Sequence, residues 1–262
     1  MELLGEIMGK NKIAIIYTTF LRPELVKQTL PSIVENTDND IIILVGDQSK
    51  ENDVKDICKS LNNNKIQYIK LGFDCGLSYA RNFLVEKANE LGCKYCWLSA
   101  DSIMFTNKYN INPIINFLEE DNKRGIVGVE LYGRPEWHRD IDLVKGKHFH
   151  LKIPTRPIIT FQDIKFIPCD VIKNVFIAKT ECLINNKWDN KLKLLEHEDF
   201  FWRLKNSEDF YQVFFTDYIT TRYKDFKPNE YNKYRSRMHA EFRKKLQEKY
   251  KIVGWCKYDK RN

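Results

Sequence analysis

Near-continuous apolar, β-rich runs at residues 12–17, 40–45, 66–71 and 95–98 predict strands. Between them, residues 24–34, 54–61 and 77–91 carry apolar positions at helical spacing. Strands that alternate with helices and lack an in–out alternation of their own predict a parallel sheet covered on both faces. Three of these strands, the first, second and fourth, run into polar loops at 18–22, 46–49 and 99–101. In an open α/β sheet such ends converge on one crevice outside the carboxyl edge, where ligands bind.

The second half reads as mixed. Residues 112–118 predict a helix, 125–132 a strand, and 141–153 a hairpin about Lys145-Gly146-Lys147. Residues 171–178 predict one further strand, followed by a polar turn at 185–190 and an acidic helix, and Phe214-Phe215 lies in another strand. We divide the chain into a catalytic domain at 1–222, with a nucleotide half at about 12–106 and an acceptor half at about 107–222, and a basic helical extension at 223–262.

Composition narrows the class. A chain of 262 residues with 43% hydrophobic content can bury a sizeable core, which excludes a disordered tail. From Arg222 onward fourteen Lys or Arg face five Asp or Glu, so the net charge of +7 divides into +9 for that segment and −2 for the rest. The seven cysteines are odd in number and irregularly spaced, and residues 1–10 are too short and too acidic for a signal peptide. No apolar run reaches the length of a membrane span. The expectation is a cytoplasmic protein, soluble or peripherally membrane-associated, with reduced thiols. Cys93 and Cys96 form a CxxC without a second metal-ligating pair.

The densest chemistry lies in Leu194-Leu195-Glu196-His197-Glu198-Asp199-Phe200-Phe201-Trp202-Arg203. A carboxylate set among aromatic side chains is desolvated and its pKa rises, which suits a group that takes up a proton. The alternative is a helix start whose acids complement the helix dipole.

With these segments placed, the chain resembles the GT-A glycosyltransferases, the nucleotide-sugar class that includes family 2 and the ganglioside-type N-acetylgalactosaminyltransferases. Ile15-Ile16-Tyr17-Thr18-Thr19-Phe20-Leu21-Arg22-Pro23 resembles the opening strand and loop, and Leu44-Val45-Gly46-Asp47-Gln48-Ser49 the segment that meets base or ribose. Gly76-Leu77-Ser78-Tyr79-Ala80-Arg81-Asn82 is similar to the family 2 helix opening near the diphosphate. Residues 170–180 resemble the acceptor-side strand, and Glu198-Asp199 the acidic pair that supplies the base. The resemblance implies a mostly parallel Rossmann-like sheet with a mixed acceptor half. It implies transfer of a sugar from a nucleotide-diphosphate sugar, UDP-linked, to a glycan, lipid-linked or protein acceptor, with inversion. Asp199 is then the general base and Glu198 holds the acceptor. Thr18, Thr19, Arg22, Asp47, Ser49, Arg81, Ser99, Asp101 and Arg222 face the donor.

The metal motif departs from the family. Asp-x-Asp is expected at the end of the fourth strand, and Ser99 stands at its first position. Asp101 remains as the ligand expected to hold Mn²⁺ or Mg²⁺. Arg222 stands where a metal-binding histidine belongs, so neutralisation of the leaving diphosphate by arginine, assisted by Lys224 or Lys227, is the competing expectation. Asp38-x-Asp40 precedes its strand and Asp140-x-Asp142 lies in the hairpin, so both are set aside.

Other residues carry two readings. Thr19 and Ser49 bind the nucleotide or cap helices. Arg81 meets a phosphate or forms a salt bridge to Glu86 or Asp101. Trp188, Phe200, Phe201 and Trp202 pack the core or stack on sugar, Trp137 and His138 meet the acceptor, and His148 with His150 bind a metal or line a solvated hairpin. Two rival functions stand beside the transferase: a nucleotide-sugar-binding pseudoenzyme, and a basic tail that docks on anionic membrane. Nucleic acid is the poorer partner, because the tail carries no recognition motif.

Overall fold

The computed structural model describes residues 12–259 except 39 and 136; the segment set aside as a signal peptide falls outside these. The first half follows the expected rhythm: β1 (Ile13–Thr19), α1 (Pro23–Glu35), β2 (Ile41–Asp47), α2 (Asp53–Ser60), β3 (Ile66–Lys70), α3 (Leu77–Glu90) and β4 (Tyr95–Ala100). Every residue of β1 is buried, and the pleat sends Ile13, Ile15 and Tyr17 into one core and Ala14 and Ile16 into the other. A strand covered on both faces therefore reads as a continuous apolar run. Pro23 opens α1 at a position where its missing N–H costs nothing.

The second half adds β5 (Ile103–Met104), α4 (Asn112–Glu119), β6 (Arg124–Tyr132), β7 (His138–Val144), β8 (His148–Lys152), β9 (Ile159–Phe161), β10 (Ile164–Cys169), β11 (Val171–Ile172) and β12 (Phe176–Lys179). It closes with α5 (Thr180–Asn185), α6 (Glu196–Lys205), β13 (Gln212–Tyr223), α7 (Asn229–Tyr250) and β14 (Cys256–Tyr258). The central sheet runs β3-β2-β1-β4-β12-β6-β13-β10-β9, and β11-β7-β8-β14 forms a smaller one. Strands β3, β2, β1 and β4 are parallel, and β12 lies antiparallel between β4 and β6. The hairpin expected at 141–153 is β7 and β8, turning at Gly146 with φ +68°.

One strand expectation needs correction. Residues 171–178 form two strands, β11 in the small sheet and β12 in the central sheet. The polar pair Lys173-Asn174 breaks the apolar run and carries the chain from one sheet to the other.

The basic segment folds back onto the body. Phe242 and Leu246 of α7 are buried with Leu192, against Leu194, Leu195 and Trp255, and β14 pairs with β8. A boundary after 222 would cut inside β13. Among the described residues no helix is long and apolar enough to cross a membrane.

Candidate active site

A cavity of about 520 Å³ opens at the carboxyl ends of β1 and β4. Thr18 and Thr19 end β1, Ala100 ends β4, and the start of α3 brings Gly76, Leu77 and Arg81. Residues 173–175, the link from β11 to β12, form another wall beside residues 193–198. Tyr231, Tyr234, Arg235 and His239 of α7 complete it.

Backbone geometry at the start of α3 is fixed by two contacts. The Gly76 N–H donates to Gln48 Oε1 at 2.9 Å, which ties the end of β2 to α3. Gly76 has φ +92°, and a Cβ there would lie 2.6 Å from Lys193 Cγ, so only glycine allows this close approach. Lys193 is held by Asp74, at 2.9 Å to the carboxylate.

Of the residues expected at the donor, Thr18, Thr19, Arg22 and Arg81 line the cavity. The Thr18 hydroxyl is buried without a hydrogen-bond partner, so a ligand oxygen or N–H there would satisfy it. Asp47, Ser49, Ser99, Asp101 and Arg222 are not in the lining, and for Asp47, Ser49 and Asp101 the hydrogen-bond partners say why, whereas the buried Ser99 hydroxyl has none. Asp47 accepts from the Ser49 N–H at 2.9 Å, the Tyr68 hydroxyl at 2.9 Å and Lys70 at 3.1 Å. Ser49 Oγ accepts the Leu21 N–H at 2.9 Å, which steadies the left-handed Leu21 in the β1–α1 loop. Both residues shape loops from beneath. Arg222 is exposed on β13, over the Tyr132 ring.

Arg81 forms a buried salt bridge, but not to Glu86 or Asp101: its Nη1 donates to Glu196 Oε1 at 2.5 Å, and Glu86 pairs with Lys187. Burial pushes the Glu196 carboxyl upward, and the Arg81 guanidinium, a backbone hydrogen bond and His197 together outweigh it and hold the group below its ordinary value.

The acidic turn itself divides. Glu196, His197 and Glu198 line the cavity; Asp199 does not. Asp199 is fully buried and accepts from Arg203 at 2.9 Å, the Tyr250 hydroxyl at 2.6 Å and Lys249 at 2.6 Å, all from α6 itself or α7. Its oxygens are committed away from the crevice, which corrects its expected position beside the acceptor. Burial raises the Glu198 carboxyl to about 7, in the range of a base that works near neutrality. His197 is brought down to about 4 by burial and stays neutral. Asn174 fixes its tautomer: the Asn174 amide donates to Glu196 at 3.4 Å, so its oxygen faces His197 Nδ1 at 2.9 Å and accepts from it. His197 Nε2 is buried and carries the lone pair.

Trp188, Phe200 and Phe201 are core residues, with Trp188 stacked on Phe200 at 4.5 Å. Trp202 packs on Phe149, His138 on Phe215, and Trp137 on His197 at 4.8 Å. His150 meets Asp259, at the edge of the hairpin. Cys93 and Cys96 are buried thiols. The two set-aside acidic pairs are held by lysines and arginines: Asp38 by Lys108, Asp140 by Arg156, Asp142 by Lys152 and Lys205.

The donor set around Asp101 does not fit a divalent cation. Asp101 is fully buried, and its oxygens accept from the Thr19 hydroxyl at 2.9 Å and from two nitrogens of Arg22, Nε at 3.0 Å. Ser99 offers a buried neutral hydroxyl in place of the first acid. Among the described residues no group of three or more His, Cys, Asp or Glu is arranged to hold a metal.

Residues 14–169 match the family model for glycosyl transferase family 2. The chain belongs to that family. Within this family 2 chain, 198 residues are 27% identical to mouse β-1,4 N-acetylgalactosaminyltransferase 2, covering 73% of the chain and 36% of that protein. The chain thus spans about a third of that relative's length. Among solved structures, Staphylococcus aureus TarS 1–349 in complex with UDP superposes with a TM-score of 0.57 at 13% identity, covering 85% of this chain and 62% of that one. The mannosyltransferase PcManGT from Pyrobaculum calidifontis, in complex with GDP-Man and Mn²⁺, gives 0.59 at 12% identity, covering 94% and 66%. The family 2 chain therefore has the GT-A fold.

The sequence reading missed Glu196, His197, Asn174, Gln48, Lys193 and the α7 wall. Asn174 had a signal, a polar pair inside an apolar run. The α7 residues had none, since helical spacing does not reveal which body a helix packs against.

Proposed function

We propose that this chain transfers a hexosyl-type sugar from a UDP-linked donor to an acceptor hydroxyl by single displacement with inversion. The observation that carries this reading is that the start of α3, with Arg81, and the acidic turn, with Glu198, line one cavity at the carboxyl edge of the sheet. The UDP donor is supported by the TarS complex, and the hexosyl-type sugar by the name of the mouse relative. Glu198 replaces Asp199 as the general base in this reading, because it lines the cavity and its carboxyl is raised to about 7. As the acceptor oxygen bonds to the anomeric carbon, its proton passes to Glu198. The bond from that carbon to the diphosphate breaks, and the nucleoside diphosphate leaves with the negative charge. Arg81 keeps Glu196 ionised and in place, and the Thr18 hydroxyl offers a hydrogen bond to the nucleotide.

Mn²⁺ or Mg²⁺ has no step in this reading, since Asp101 is paired with Arg22. The acceptor is a glycan, a lipid-linked sugar or a protein hydroxyl. A donor panel tests the proposal, scored by nucleotide release with and without candidate acceptors. Release from a UDP-sugar that rises with one acceptor supports it; binding without release is the pseudoenzyme, and no binding of any nucleotide sugar ends the proposal.

A further inference from the structure

The charge balance of the cavity points beyond the donor class to how its diphosphate is held, an inference that rests on the nucleotide-sugar reading above. Seven Lys or Arg line the cavity against three carboxylates. A nucleoside diphosphate brings charge that must be neutralised by a metal ion or by fixed cations. The expected metal ligand cannot serve without first losing a guanidinium. Arg22 holds Asp101 through two nitrogens, has 12% of its side chain exposed, and stands 4.3 Å over the Tyr231 ring. Thus the α7 side packs onto the cation that occupies the metal's place. One turn along α7, Arg235 donates to the Tyr231 hydroxyl at 2.5 Å, a neutral partner. Lys227, just before α7, also lines the cavity, and its nearest acid is Asp225 at 3.4 Å. Tyr234 packs edge-on against Phe20 and Phe73, so the helix is anchored to the β1 loop.

We infer that the chain's own cations hold the donor diphosphate: Arg22 takes the position of the divalent ion and Arg235 and Lys227 close on the phosphates from the α7 side. Nucleotide binding then needs no divalent cation. A fixed guanidinium matches phosphate oxygens in pairs.

Calorimetric titration of the full chain with UDP and with GDP, in EDTA and in Mn²⁺, tests this. The expected result is a Kd in EDTA within about threefold of that in Mn²⁺. Arg235→Ala and Lys227→Ala, both at solvent-accessible positions, each weaken UDP binding about tenfold in EDTA, and the salt dependence of binding flattens. Circular dichroism of both variants should match the parent. Binding that vanishes in EDTA and returns with Mn²⁺ overturns the inference while leaving the donor reading intact. Unchanged binding by both variants removes α7 from the site. Binding of neither nucleotide under either condition overturns the donor reading itself.

Discussion

Arg81 and Glu196 lie 115 positions apart in the chain and meet at 2.5 Å as a buried pair, each with 5% of its side chain exposed. The contact joins the cavity-lining start of α3 to the acidic turn. Removing one partner leaves the other charged and buried, so Arg81→Met should cost about 3–5 kcal/mol in urea unfolding. Arg81→Met with Glu196→Gln should cost less than Arg81→Met alone. Additive losses would mean that the pair does not bridge the two elements.

The two acids at the centre of the turn should behave differently. Glu198→Gln is expected to lower kcat by about 10²–10⁴ while UDP affinity holds, because the lost group takes a proton only during transfer. Asp199→Asn removes the charge that faces Arg203 and Lys249 and turns one of the two acceptor oxygens into a donor, and should lower stability by about 1–2 kcal/mol, with kcat changed by only about a few-fold. The reverse pattern would return the base to Asp199. Steady-state kinetics with calorimetric UDP titration separates the two.

Glu198 also sets a pH signature. Its carboxyl is raised from 4.5 to about 7, so kcat/KM should climb about tenfold per pH unit below that value and level off above it, and Glu198→Gln should erase this limb. Stability carries the opposite sign. The folded state retains the Glu198 proton between 4.5 and 7 whereas the unfolded chain releases it, so this contribution is fully present below 4.5 and is lost as pH rises through about 7. On the order of 3 kcal/mol is at stake. Relative to the parent, Glu198→Gln should gain stability across that window in urea melts at stepped pH.

Gly76→Ala tests the close approach at α3. The positive φ and the Cβ position 2.6 Å from Lys193 Cγ predict a loss of about 1–3 kcal/mol together with weaker UDP binding, because relief requires moving Lys193 or the helix start. An alanine variant with the parent's melting midpoint and UDP affinity would show that this corner of the site is slack.

The first half of the fold was legible because buried parallel strands and their helices leave long periodic runs, and the polar residues at the ends of β1 and β4 fall where the sheet edge must be. The roles at that edge were less legible. Asp47, Ser49 and Asp101 are polar residues at strand ends whose hydrogen bonds are spent inside the protein, and spacing alone does not tell a ligand from a loop brace. Glu198 and Asp199 are adjacent, and helical rotation between neighbours, about 100° per residue, decides which one meets the cavity. That rotation depends on where α6 begins, and it begins after the left-handed Leu195.

Because α7 presents one face to the cavity and another to Leu192 and Leu195, and β14 is laced beside β8, the chain's end acts as a clasp across the crevice. A nucleotide seated beneath it would be gripped from both sides, and by linkage the grip works in reverse: occupancy resists peeling of the tail. Susceptibility of the α7 backbone to a protease thereby becomes a gauge of whether the crevice is filled.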